Sequence, residues 1–119
     1  MKIYVAYTYG RRHGLSDIDC EINTWRSIEV GRKLIELGHN PFVPNLWHFI
    51  HKGWDNTQDE HIWLALVSEW VKCCDALLVA EMPPWENSGV QTEIDIAKAY
   101  NLRIYYSVEE IEPNKEGKK

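Results

Sequence analysis

Glu93 is the residue whose type and place first suggest chemistry. It lies in a stretch from about Ser88 to Asn101 that reads as a helix, with Ser88 or Asn87 as its cap and Ser88-x-x-Gln91 at capping-box spacing. At about 100° per residue, Val90, Ile94 and Ala97 form the inward stripe, while Gln91, Asp95 and Lys98 face water. Glu93 falls on the inward side. An ionised carboxylate there costs several kcal/mol unless it is paired or hydrogen-bonded. The helix macrodipole favours an anion so near the start. The spacing therefore marks a functional carboxylate, or else a glutamate that is salt-bridged to a neighbour or reaches back to solvent.

Two other segments carry chemically useful side chains. The polar loop after the first apolar run holds Tyr7, Thr8, Tyr9, Gly10 and the basic triplet Arg11-Arg12-His13. Arg11 or Arg12 would suit a phosphate, and a solvated basic loop reads equally well. The segment from Asn45 to Gln58 is dense in rings: Trp47, His48, Phe49, His51 and Trp54. Such rings sandwich a nucleobase, at about 1–3 kcal/mol per stacked base, or close a lid over a sheet edge. His48-x-x-His51 with His61 lacks a dependable further ligand, so no metal is expected. P-loop, G-x-G-x-x-G and G-x-S-x-G patterns do not occur, which removes the signatures of kinases, dinucleotide enzymes and serine hydrolases.

The elements that must position these residues alternate. Lys2–Ala6 reads as a strand, and about Cys20 to Leu37 as a helix with Asp19 as its cap and Gly38 as its stop. Its small-and-apolar stripe is Thr24, Ser27, Ile28, Gly31 and Ile35, with Gly31 allowing close approach to a sheet. Pro41–Pro44 forms a short strand. A second helix spans about Asp59 to Cys73, with Ile62, Trp63, Leu66, Val67, Trp70, Val71, Cys73 and Cys74 on its apolar arc. Ala76–Ala80 is a central strand, since its apolar run is unbroken. Arg103–Tyr106 is the last strand, and Ser107-x-x-Glu110 opens a short terminal helix. The fold class is α/β: one flavodoxin-like or Rossmann-like domain over residues 1–111, with four to five parallel strands flanked by helices. Residues 112–119 form a polar, frayed tail. Ligands of such sheets sit beyond the carboxyl ends of the strands, which selects the loops Tyr7–Asp19, Pro44–Gln58 and Glu81–Gly89.

Four groups of residues resemble the nucleoside 2-deoxyribosyltransferase-like superfamily. They are Met1-Lys-Ile-Tyr-Val-Ala6, Gly38-His39-x-Pro41, Cys74-Asp75-Ala76-Leu77-Leu78, and Asn87-Ser88-Gly89-x-x-x-Glu93-Ile94-x-x-Ala97. That superfamily transfers deoxyribose between bases or hydrolyses nucleoside monophosphates at the N-glycosidic bond. The resemblance, over about Lys2–Ile111, implies Glu93 as the nucleophile at the anomeric carbon. It also implies that Asn87, Ser88 and the Gly89 N–H hold a 5′ hydroxyl or phosphate at the helix start. Tyr7 stands where relatives have glycine, and narrows the pocket or offers a stacking face. Val67 stands eight residues before Asp75, where relatives have an acid that assists catalysis. Asp75 itself, at the wrong end of its strand for the ligand, reads as a turn residue.

Composition bounds the partners. The chain has 119 residues and a net charge of −5, and such an acidic balance argues against a nucleic-acid polymer as ligand. No apolar run is long enough to span a bilayer, and Met1-Lys2 leads into a run too short for a signal segment. Cys20, Cys73 and Cys74 fit no disulfide framework, which suits a reducing cytoplasm; Cys73 and Cys74 are assigned to packing. Trp25, Trp63 and Trp70 fall on helices and are also assigned to packing. Trp47, Trp54 and Trp85 fall in loops at the ligand edge. The expected ligand is a nucleoside or nucleotide, bound at Tyr7, Thr8, Tyr9, Arg11, Trp47, His48, Asn87, Ser88 and Gly89 and attacked by Glu93, with no cofactor. The resemblance also implies a homodimer or larger assembly. The rival expectation is a nucleotide-binding or sensing module on the same fold with catalysis lost; a flavodoxin-like redox or signalling domain is a weaker third.

Overall fold

The computed structural model describes residues 1–55, 60–85 and 88–114, without the side chains of Arg12 and Glu60. Four strands form one parallel sheet: β1 (Lys2–Ala6), β2 (Asn40–Phe42), β3 (Ala76–Val79) and β4 (Arg103–Tyr105), in the order β2-β1-β3-β4. The helices are α1 (Asp17–Glu36), a single turn α2 (His48–His51), α3 (Glu60–Lys72) and α4 (Gly89–Ala99). This is the expected α/β architecture with four strands. Strand order runs outward in both directions from the β1–β3 pair, where Tyr4 lies opposite Leu77 and Ala6 opposite Val79.

The period of two along β1 sorts the core. Ile3 and Val5 pack with Leu34, Ala76, Leu78 and Tyr105 on the α1 face. Tyr4 and Ala6 pack with Leu77, Val79, Val71, Val90, Ile94 and Ala97 on the face covered by α3 and α4. That places a tyrosine of the central sheet directly under α4. On the other face α1 comes close to β2. A Cβ on Gly31 would stand 3.0 Å from Val43 Cγ2, so glycine permits the approach foreseen for it.

Several boundaries differ from expectation. α1 begins at Asp17, and its cap is Ser16, whose hydroxyl accepts from the Asp19 N–H at 3.1 Å. The tight turn from Gly10 to Gly14 uses fewer residues than a loose loop, leaving more for the helix. Ile35 is 62% exposed and leaves the inward stripe, where Leu34 takes its place. α3 ends at Lys72, so Cys73 turns out to solvent while Cys74 is half-buried; packing does not account for Cys73. The aromatic segment after β2 is a 3-10 turn (Pro44–Trp47) followed by α2. Ser107 and Glu110 do pair, with Glu110 Oε2 accepting from the Ser107 hydroxyl and the Tyr106 N–H, but they open only a 3-10 turn at Val108–Glu110.

Asp75 has a structural role at the sheet's amino edge, where its carboxylate accepts from the Lys2 N–H at 2.8 Å. The expected tail begins with docked residues. Asn114 donates from its backbone to Leu37 O and from its side chain to Gly38 O. Residues 115–119 lie outside the described part. Among the described residues no helix is long and apolar enough to cross a membrane.

Candidate active site

A cleft of about 400 Å3 opens at the carboxyl end of the β1–β3 pair, the place where strand order reverses and ligands of such sheets bind. The loops after β1, β2 and β3 and the starts of α3 and α4 line it. Tyr7, Thr8, Tyr9, Arg11, Trp47, His48, Ser88, Gly89 and Glu93 all lie on its wall. The sequence-derived site is therefore one place in space; Asn87 alone of those residues lies outside the described part.

Glu93 is the cleft's buried carboxyl, only 7% exposed. It reaches that position because it flanks the Val90–Ile94–Ala97 stripe that seats α4 on the sheet. The Tyr4 hydroxyl donates to Glu93 Oε2. Burial pushes the Glu93 carboxyl up to about 8, and the Tyr4 hydrogen bond opposes that rise. Burial first, and then Glu93, holds the Tyr4 hydroxyl well above its usual range. Burial thus favours the protonated Glu93, while the Tyr4 hydroxyl, its bonded donor among the described residues, favours the ionised form. A positive centre arriving in the cleft would complete the ionisation. Among the described residues, no three side chains of metal-ligand type gather.

The start of α4 forms one rim. Ser88 is its cap, accepting from the Gln91 N–H at 3.1 Å, and its hydroxyl is also able to donate. Gly89 faces open space: an added Cβ would meet nothing within 4 Å. A helix start of this kind offers backbone N–H groups and a positive dipole end to an anionic or hydroxyl group.

The loop after β1 is held by asparagines from two other elements. Asn45 Nδ2 donates to Thr8 O at 3.1 Å, and Asn23 Nδ2 donates to Tyr9 O at 3.2 Å. Gly10 has φ +94°, a backbone conformation that L side chains rarely adopt, so the turn into α1 favours glycine. Thr8 is 5% exposed and its Oγ1 has no hydrogen-bond partner among the described residues. A buried orphan hydroxyl costs about 1–3 kcal/mol, a cost that a ligand in the cleft would remove. Arg11 lies at the mouth, paired with Asp17 at 2.8 Å and donating from Nε to the Tyr9 oxygen at 3.3 Å. Burial and the neighbouring Glu81 push the Tyr7 hydroxyl up, while Arg26 opposes them.

Opposite stands an aromatic wall. Trp47 lies 5.5 Å from Trp63, and Trp63 stacks on His51 at 4.2 Å and 28°. Trp85 covers the other side, 4.8 Å from His13. His51 Nδ1 is buried with no partner among the described residues, and burial together with Arg11 and His48 lowers its basicity. Two tryptophans exchange roles relative to expectation. Trp63 lines the cleft and is not only packing, because part of the α3 apolar arc faces the ligand space and not the sheet. Trp54 lies on a separate groove beyond α2. Trp70 does pack, stacked on Phe42 at 4.7 Å. Trp25 is half exposed, edge-on to Phe49.

Sequence reasoning missed Tyr4 and Trp63 as site residues; His51 and His13, on segments it singled out, also line the cleft. The period of two in β1 places Tyr4 on one face; only the strand register shows that the same face carries α4.

Fold and site together define a flavodoxin-like α/β domain with a buried carboxyl in an aromatic-walled cleft at the switch point of its sheet. The chain belongs to the family described as Domain of unknown function (DUF1937), whose model matches residues 1–109. No curated protein matches it.

Proposed function

We propose that this protein cleaves, or transfers at, the N-glycosidic bond of a nucleoside or nucleoside monophosphate, with Glu93 as the nucleophile. The observation that carries the reading is the Glu93 carboxyl, buried in the cleft and bonded by the Tyr4 hydroxyl. It accords with the resemblance of residues 87–97 to the nucleoside 2-deoxyribosyltransferase-like superfamily. The reaction needs a carboxylate that meets a developing oxocarbenium ion, as in glycoside cleavage generally. Such chemistry calls for no metal or organic cofactor.

In this reading the aromatic wall receives the base, at about 1–3 kcal/mol for each stacked ring. The start of α4, with Ser88, Gly89 and Asn87, receives the 5′ hydroxyl or phosphate, and the Thr8 hydroxyl is completed by the sugar. Glu93 first gives its proton to water; as C1′ gains positive charge the carboxylate forms the C1′–O bond, and the C1′–N bond breaks with its electron pair on the departing base, which is protonated as it leaves. Water or a second base then displaces the sugar. Three free cysteines fit a cytoplasmic setting. Exposed Leu66 and Trp70 on α3 suit a second copy of the chain as partner.

One observation favours the alternative of a binding module without catalysis. Val67 presents an isopropyl group to the cleft where the superfamily carries an acid. A panel of nucleosides and 5′-monophosphates, followed by chromatography for free base and by thermal shift, separates the two. Base release by the wild type supports the enzyme. Ligand-dependent stabilisation with no release from any member supports the binding module.

A further inference from the structure

A departing nucleobase needs a proton, since its anion leaves poorly, and Glu93 cannot both attack carbon and supply it. The Tyr9 hydroxyl is wired for that task. Tyr9, on the cleft wall, is bonded to His48 Nδ1 at 2.7 Å, and His48 Nε2 is bonded to Glu21 Oε1 at 3.1 Å. His48 is 2% exposed, whereas Glu21 is partly exposed and also receives Lys52 Nζ at 2.7 Å. His48 and Glu21 both line the separate groove beyond α2. A continuous chain of hydrogen bonds therefore runs from the cleft, through a buried imidazole, to solvent on the far side of α2.

We infer that Tyr9 is the general acid of this site, donating its hydroxyl proton to the leaving base and recovering one from His48, whose imidazole Glu21 orients. The inference rests on the N-glycosidic reading above and adds the residue that reading lacks. Facing a carboxylate, Nε2 carries hydrogen, so Nδ1 accepts from Tyr9 in the resting form. When the Tyr9 hydroxyl turns into the cleft, Nδ1 takes a proton from water there and Nδ1–H donates to the Tyr9 hydroxyl oxygen. The C1′–N bond then breaks with its electron pair on the base nitrogen, which takes the Tyr9 proton. The Nδ1 proton passes to the Tyr9 oxygen, and His48 is left neutral. Arg11 Nε–H, at 3.3 Å, stabilises charge on that oxygen during the transfer.

The charged and titratable groups around His48 are Tyr9 and Arg11 from the first loop, Glu21 from α1, and His51 and Lys52 from α2 and its end. Tyr9 is the catalytic residue of the group; His48 recharges it and Glu21 orients His48.

The test compares two leaving groups. One substrate is the nucleoside or monophosphate that the wild type cleaves best; the other is the 4-nitrophenyl glycoside of the same sugar, whose leaving group departs without a proton. Tyr9→Phe is expected to lose about 100-fold or more on the first, the usual scale of general acid catalysis, with only a few-fold loss on the second. Glu21→Gln, a shape-preserving change at a partly exposed site, should lose activity on the first substrate alone. The double variant should be no worse than Tyr9→Phe. Equal losses on both substrates, or no loss on the first, overturn the inference while leaving the N-glycosidic reading intact. Release by the wild type from neither substrate overturns both.

Discussion

The Tyr4 hydroxyl donates to Glu93 Oε2, joining residues 89 apart in the chain across the interface between β1 and α4. The bond holds a carboxyl in the cleft where burial alone would keep it neutral. Removing the hydroxyl with Tyr4→Phe should therefore make ionisation harder. The expected result is a loss in kcat/KM of about tenfold to a hundredfold near neutral pH, the scale of a hydrogen bond to a charged group. The ascending limb of the pH profile should move upward, narrowing the gap to wild type at alkaline pH. An unchanged profile in the variant would show that Tyr4 does not tune Glu93.

The same burial makes stability depend on pH. A glutamate in the unfolded chain titrates near about 4.3, whereas Glu93 in the folded protein titrates at about 8. Between these values the unfolded chain gives up its proton and the folded one keeps it, so stability falls as pH rises through that window. Below the unfolded value and above the folded one the contribution is flat. The slope reaches at most about 1.4 kcal/mol per pH unit. Glu93→Gln removes it. The melting temperature of the variant relative to wild type should rise steadily from pH 5 to pH 8; a constant difference would mean that Glu93 titrates normally.

Gly89 faces open space at the start of α4, and its backbone needs no positive φ. Gly89→Ala should fold as well as wild type or slightly better, because alanine is the stronger helix former. The new methyl group would intrude where a 5′ group is proposed to sit. We expect an unchanged or raised melting temperature with KM raised about tenfold, or about 1.4 kcal/mol of lost binding. Unimpaired binding would move the 5′ group away from the helix start.

Val67 and Asp75 make opposite claims. Val67 lines the cleft, and Asp75 bonds the Lys2 N–H at the far edge of the sheet. Val67→Asp should change activity more than Asp75→Asn, by about tenfold or more in either direction, since it adds a carboxyl to a site of tuned charge. Asp75→Asn, whose amide oxygen can still accept from the Lys2 N–H, should act on stability alone, by at most about 1 kcal/mol. Equal effects of the two on activity would contradict the placement of α3 beside the cleft.

Much of this arrangement is legible in the sequence, for local reasons. The unbroken apolar run of Ala76–Ala80, the Ser88 cap and the inward turn of Glu93 depend on neighbours a few residues apart. Gly31 and Asp75 were legible too, because each marks a contact that a larger or apolar side chain would spoil. The rest depends on distant segments meeting. Nothing within β1 identifies Tyr4 as the partner of Glu93, and nothing near Trp63 tells whether its arc of α3 meets the sheet or the cleft. The Tyr9–His48–Glu21 chain joins three elements by tertiary packing alone. Ser16 and Asp19 are both acceptable caps, and the compact Gly10–Gly14 turn decides between them.

Every proposed step depends on attack by Glu93 at the anomeric carbon. The most direct measurement is the rate of free-base release at pH 8 by wild type and by Glu93→Ala, with melting curves showing both folded. Loss of about 1,000-fold or more in the variant, the scale felt when a nucleophile is removed, is the predicted result. Base release that survives the substitution would contradict it.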